Sequence, residues 1–436
     1  MKNLLIQNGL VLIFSEDYTD MSFQRKDILV SEGKIVQVQD KIGADFENCT
    51  VLDASGKCVM PGLINTHTHL PMCIFRETFE GCNLYDWLND KIWPLEAKLT
   101  EEQVYDATLL SYIEQIRTGT TCTNDHYFFS DAVRKATIDS KMRAVLTRVL
   151  MDSDGEEASK QRVQEFRKFY ETRDPQNSRI TYSVSPHSLY TCSPACLEQA
   201  AELAKEYDLP VHIHFLESEK EAEDIRKLHQ DSPAKVLAKH FADNRLILAH
   251  CVHFGSEEIQ ILKTLTCGIA HNPISNLRLG CGIADTTSYL QNHLLVALGT
   301  DGQGSGSNLD LFDAMRMACL IQGGIHTEDE KRLTAKDAIR MATINSAKVL
   351  GLDKEIGSIE MGKQADLILV DISSNLGTIK SMPNHNLISD LVYNKSGLDV
   401  DTTIVAGEIL MQNKQIPHLV VNQVIAKVQK NLLEKD

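Results

Sequence analysis

A chain of 436 residues with 43% hydrophobic content can bury a large core, and its length points to two or three domains or to a barrel with an accessory domain. The 60 acidic and 44 basic residues give a formal net charge of -16 without any dense Lys/Arg run, which argues against a nucleic-acid partner. No stretch approaches about 18 uninterrupted apolar residues, so no membrane span is expected, and 11 scattered cysteines fit reduced thiols in a cytoplasmic protein.

In chain order, residues 1–56 read as short strands. LLIQNGLVLI, KDILVSEGKIVQVQ and TVLDASGK are rich in Val, Ile and Leu, and Glu32-Gly33 before KIVQV marks a hairpin. The first of these runs is broken by Gln7, Asn8 and Gly9 and lacks the small-residue cleavage site of a secretory leader. From 57 to 356, strand-like runs alternate with helical ones such as EEQVYDATLLSYIEQIRT and PACLEQAAELAKEYD. The strand candidates are VMPGLINTHTH, TTCTND, RAVLTRVL, ITYSVSPH, PVHIHFLE, RLILAHCV, CGIAHNP and LLVALGTD. Eight such units predict an α/β fold, a (β/α)8 TIM-type barrel. The rival, an open doubly wound sheet, usually carries a Gly-rich phosphate loop after its first strand; here that strand ends in His-Thr-His.

After residue 356 the strand texture returns in GSIEMGKQADLILVDI and DTTIVAGEILMQNK, followed by helical spacing in VVNQVIAKVQKNLLEK. Two β-rich ends flanking one middle predict a composite β-sandwich, 1–56 plus 357–436, beside a catalytic barrel at 57–356.

Polar residues stand at the C-terminal end of nearly every predicted barrel strand, the face where barrels place catalysis. His67 and His69 end the first strand, and positions i and i+2 of a strand share one side. His214 ends the fifth strand, His250 the sixth and Asp301 the eighth. Taken singly, a histidine reads as a satisfied polar group and Asp301, in GTDG, as a turn residue. Their joint placement instead predicts one divalent ion with an open position for water, whose pKa such an ion lowers toward neutrality. His250 and Asp301 could orient that water or take its proton. Glu217, in HIHFLES, reaches the barrel mouth and could protonate a ring nitrogen. Alone it reads better as a solvated loop acid, because Glu219, Lys220 and Glu221 follow. Arg148 and His187 end the third and fourth strands; their plain readings are an ion pair and a supporting hydrogen bond. The fourth strand has no lysine to carry a bridging carbamate, which favours one metal over two. Cys192 and Cys196 in TCSPAC lack the second pair that a structural metal site needs.

At PGLINTHTHLPM, HIHFLES, LAHCVH, HNPISNLRLG and LGTDG the chain resembles the amidohydrolase superfamily, essentially end to end. Within it, IWPLEAKLT, MRAVLTR, SPHSLYTCS and LGTDGQGSGSNLDLF look most like the 5'-methylthioadenosine/S-adenosylhomocysteine deaminases. The resemblance implies metal ligands at His67, His69, His214 and Asp301, proton transfer by Glu217, and water handling by His250 and Asp301. It implies that Glu96 binds ribose hydroxyls and that Arg148 and His187 face the substrate. The family's usual ion is zinc, with iron(II) among relatives. The implied reaction is hydrolytic deamination at C6 of an adenosine-type nucleoside (5'-methylthioadenosine, S-adenosylhomocysteine, adenosine or 5'-deoxyadenosine), giving the inosine analogue and ammonia.

Two departures from the family pattern stand out. A second substrate-facing arginine falls in DSDGEEASKQRVQ, where Arg162 and Lys160 both qualify, and His126 occupies a position where an apolar residue such as Met is expected. His126 keeps open a different heterocycle, such as guanine, an oxidised purine or a triazine. A third reading, a non-catalytic structural barrel, predicts missing ligands, and none is missing. The resemblance also makes a homo-oligomer plausible.

Overall fold

The two strand-rich ends of the chain pair with each other. In this computed structural model, which describes residues 3–43, 49–153, 155–306, 308–328, 331–373 and 386–433, they form one eight-stranded sheet. From the N-terminal side come β1 (Asn3–Phe14), β2 (Met21–Ser31), β3 (Lys34–Gln39), β4 (Cys49–Asp53) and β5 (Lys57–Pro61). A bulge between Ile6 and Gly9, with Asn8 at φ 65°, interrupts the ladder to β2. Such a bulge bends a strand. Here β1 pairs β4 before it, over Asn3–Gln7, and β5 after it, at Leu10 and Val11.

Beyond β5, the strands described in the middle of the chain pair in parallel. They are β6 (Leu63–Thr68), β7 (Thr120–Asp125), β8 (Arg143–Leu146), β9 (Val149–Leu150), β10 (Ile180–Tyr182), β11 (Ser185–Pro186), β12 (Val211–Phe215), β13 (Leu246–His250), β14 (Cys267–His271) and β15 (Leu295–Leu298). They run as β6-β7-β8-β10, as β9-β11 and as β12-β13-β14-β15. Single bridges from Val184 to Val211 and from Ser188 to His214 join the β11 region to β12. At the other edge, Thr66 Oγ1 donates to the Leu298 carbonyl (2.8 Å) and the Asp301 N–H to the His67 carbonyl (3.0 Å). The strands are buried on both faces, as parallel strands covered by helices must be.

The C-terminal strands β16 (Leu367–Asp371), β17 (Val400–Val405) and β18 (Glu408–Met411) complete the first sheet, with β16 antiparallel to β5. One face of that sheet gathers Leu4, Ile6, Ile28, Val30, Leu367 and Leu369 into its own core. The other face sends Met60, Ile368 and Val370 into the main core with Tyr112 and Ile116 of the helix Glu101–Arg117. A buried ion pair crosses the same junction: Arg143 of β8 donates to Asp366 through Nε (2.7 Å) and Nη2 (3.0 Å). The helix expected in VVNQVIAKVQKNLLEK spans Val421–Leu433, and its last two residues lie outside the described ones. No helix among the described residues is long and apolar enough to cross a membrane.

Candidate metal centre and active-site pocket

Alternation along β6 puts His67 and His69 on one side, and the chain beyond β15 brings Asp301 against them. Asp301 Oδ1 lies 3.4 Å from His67 Nε2 and 3.2 Å from His69 Nε2. Its other oxygen is fixed by the hydroxyls of Ser275 (2.6 Å) and Ser305 (2.7 Å). His214, at the end of β12, places Nε2 3.3 Å from His69 Nε2. Asp301 (φ 63°), His250 (φ 76°) and Leu216 (φ 52°) adopt the left-handed backbone, a strain that concentrates where side chains are aimed at a site. Gly299 is required for another reason. A Cβ there would lie 2.3 Å from Asn272 Oδ1 and 3.0 Å from the His67 amide nitrogen.

The far side of each ring fixes its tautomer. His69 Nδ1 donates to the His126 carbonyl (2.6 Å) and His214 Nδ1 to the His187 carbonyl (2.8 Å). Both therefore turn an Nε2 lone pair inward, the usual support of a metal-binding imidazole. His67 Nδ1 meets His212 Nε2 at 2.9 Å, while His67 Nε2 is buried without a hydrogen bond. Burial keeps His67 neutral and lowers His214 to about 4. Burial also opposes a charge on Asp301, but the His67 and His69 rings outweigh it and hold the carboxyl well below the usual range. Burial opposes a charge on His69 as well, but Asp301 outweighs it and raises that ring. Imidazole nitrogens around one ionised carboxylate, with the His67 Nε2 left without a hydrogen bond, fit a divalent ion; this N/O donor set suits zinc and iron(II) alike.

His69, His214, His250 and Asp301 line one cavity, together with Glu217. Glu217 enters it from the His250 side: its Oε1 is 3.5 Å from His250 Nδ1 and accepts from the Cys281 thiol at 3.7 Å. Burial, with Asp301 and Glu221 nearby, pushes the Glu217 carboxyl well above the usual range. Glu221 also holds the Glu217 backbone, accepting from the amides of Leu216 (3.0 Å) and Glu217 (2.7 Å). Asn276 donates to His250 Nδ1 at 2.8 Å, which puts the hydrogen of that ring on Nε2.

Glu96 and His187 line the same cavity. Burial raises Glu96, and the Tyr127 hydroxyl and His69 work the other way. His187 Nδ1 is within 2.9 Å of Thr191 Oγ1. Glu96 follows a π-helical turn, Trp87–Ile92, in which the Trp93 amide reaches back to Leu88; π-turns recur at functional sites.

The two arginines are not brought into the cavity. Arg148 pairs with Glu165 at 2.6 Å and lines a neighbouring hollow, backing the cavity wall through a cation–π contact with Phe128 (5.8 Å). Arg162 donates to the Met151 carbonyl at 2.6 Å, and Lys160 pairs with Glu156 and Glu157. Asp154, in the same segment, lies outside the described residues. Ser275, Ser305, Cys281, Asn276 and His212 were not singled out from the sequence. Only His212 had a legible signal, since HIH repeats the i, i+2 spacing of HTH.

A model of the Amidohydrolase family matches residues 58–410. The chain is 40% identical to a 5-methylthioadenosine/S-adenosylhomocysteine deaminase of Thermoanaerobacter pseudethanolicus, covering 99% of this chain and 100% of that one. It is 38% identical to a 5'-deoxyadenosine deaminase of Methanobrevibacter smithii, covering 99% and 98%. Among solved structures, an adenosine deaminase from Xanthomonas campestris with bound zinc superposes with a TM-score of 0.89 at 29% identity, covering 99% and 98%. With that match spanning most of its length, the chain belongs to the Amidohydrolase family.

Proposed function

We propose that the protein is a metal-dependent aminohydrolase that deaminates adenosine-type nucleosides at C6. The observation that carries this reading is Glu217, a buried carboxyl pushed well above its usual range, which shares a cavity with the imidazoles of His69, His214 and His250 and the carboxylate of Asp301. Relatives named for deaminating 5'-methylthioadenosine, S-adenosylhomocysteine and 5'-deoxyadenosine support it.

In this reading His67, His69, His214 and Asp301 hold one divalent ion, zinc by analogy with the Xanthomonas campestris structure. When bound, the ion supplies a water activated at neutral pH. Glu217 gives its proton to purine N1 as oxygen adds to C6. His250 Nε2–H holds the incoming oxygen, and Asp301 takes a water proton. The C6–N bond then breaks. Of the two water protons, one becomes the third hydrogen of ammonia and the other restores Glu217. Glu96 binds the ribose hydroxyls and His187 closes the wall above the base. The ten short parallel strands make eight positions of a closed (β/α)8 barrel within 57–356, while the two terminal segments and β5 (Lys57–Pro61), placed in the barrel by the expected boundary at 57, form the accessory β domain. All 11 cysteines are free thiols, which suits the reducing cytoplasm.

The test compares kcat/KM for 5'-deoxyadenosine and free adenine in the parent and in Glu96→Gln. The parent should strongly prefer the nucleoside, and the variant should lose most of that preference. Preference for adenine would overturn the nucleoside reading.

A further inference from the structure

His126 is one side chain of the cavity that the proposed reaction leaves without a task. It is 2% exposed, lines the cavity, and its Nε2 has no hydrogen-bond partner. Its tautomer follows from its neighbours. Ser185 Oγ is 2.6 Å from the His212 carbonyl, which can only accept, so the serine hydrogen goes there. The contact of 2.8 Å between Ser185 Oγ and His126 Nδ1 must then use the hydrogen on Nδ1. His126 Nε2 is left with a lone pair, a buried acceptor beside the cavity. An acceptor left unpaired in such a place is costly, so a ligand that supplies an N–H gains by meeting it.

The position of the ring narrows what that donor is. Its centroid lies 4.5 Å from that of His214 and 5.4 Å from that of His69, on the side of the metal ligands facing His187. Glu217 lies beside His250 and Cys281. On a 9-substituted adenine the only ring-borne N–H donor is the 6-amino group; N1, N3 and N7 all accept. A carboxylic acid for N1 and an imidazole lone pair for the adjacent amine together match one edge of adenine.

We propose that His126 is a substrate-binding residue whose Nε2 accepts a hydrogen bond from the amino group on the carbon under attack, selecting 6-amino purines over 6-substituted purines that lack an N–H. This inference rests on the deaminase reading above. A second cation is the rival occupant, since nitrogens of His126, His187 and His214 lie within 4.8 Å of one another. His214 cannot serve it, because its Nδ1 is given to the His187 carbonyl and its Nε2 faces His69.

The test measures kcat/KM on 5'-deoxyadenosine and on its 6-chloropurine counterpart, which loses chloride in the same substitution. The ratio of the two should fall about tenfold from parent to His126→Met, the worth of one hydrogen bond. His126→Leu gives a second apolar replacement, read by the same ratio, and zinc content is measured for each protein. An unchanged ratio, with both substrates losing equally, overturns the proposal, as does a parent holding two zinc ions of which the variant loses one. A parent inactive on every adenosine derivative would instead overturn the deaminase reading.

Discussion

Replacing Glu217 with glutamine exchanges an acidic O–H for a non-acidic amide NH2 and changes little else. The side chain keeps its volume in a buried position, and an oxygen can still accept from the Cys281 thiol, 3.7 Å away in the parent. Its backbone remains held by Glu221 through the Leu216 and Glu217 amides. The ligand cluster is supported separately, by the His126 and His187 carbonyls and by Ser275 and Ser305. Metal content should therefore equal that of the parent, and KM should change little. The amide cannot protonate N1, and a positioned general acid contributes about 100- to 10,000-fold. The expected loss in kcat lies in that range, or about 3–5 kcal/mol of barrier. Steady-state ammonia release with parallel zinc analysis reads both quantities. A kcat within tenfold of the parent at full zinc occupancy would refute the assigned role. A variant that loses zinc would show that Glu217 belongs to the metal cluster instead.

Other perturbations probe the frame around the site. Asp366→Ala leaves the Arg143 guanidinium, 4% exposed, without its carboxylate; breaking such a buried pair costs about 3–5 kcal/mol in urea unfolding, and a loss under about 1 kcal/mol would contradict its role at the junction. Gly299→Ala drives a methyl to 2.3 Å from Asn272 Oδ1 and 3.0 Å from the His67 amide, so melting temperature and zinc content should both drop. If neither changes, the approach of β15 to β6 is not as tight as described. His271 is buried and lowered from 6.5 to about 3, so the unfolded chain takes up a proton between those values that the folded chain refuses. Stability is complete above 6.5 and falls as the pH drops; at pH 5 this one ring costs about 2 kcal/mol. His271→Gln should reduce the drop in unfolding free energy between pH 8 and pH 5 by that amount, and an unchanged drop would contradict the assignment.

The positions of the proposed site residues were legible because strand geometry carries them. His67 and His69 share a side by alternation, and His214, His250 and Asp301 fall where predicted strands end. The same rule led elsewhere for Arg148. The third strand breaks after Leu146 and resumes at Val149, so Arg148 leaves from an interruption and turns toward Glu165. The groups that hold these side chains come from other segments, brought near only by the tertiary course of the chain. Ser275 lies in the short helix after β14 and Ser305 in the turn after β15. Nothing in local pattern connects either to Asp301. Sheet order is similar: Val/Ile/Leu texture marked both ends of the chain as strands, but the bulge that lets β1 exchange β4 for β5 is a tertiary choice. His126 was visible as an oddity of sequence; its tautomer needed Ser185 and the His212 carbonyl.

The most direct measurement is ammonia release by zinc-analysed protein. The panel sets 5'-methylthioadenosine, S-adenosylhomocysteine, adenosine and 5'-deoxyadenosine against adenine, guanine and a triazine. Turnover of the adenosine derivatives to their inosine analogues, dependent on bound metal, is the predicted result, and their ranking defines the 5' specificity. Silence on all four, with guanine or the triazine turned over, would contradict the account while leaving the metal-dependent hydrolase in place.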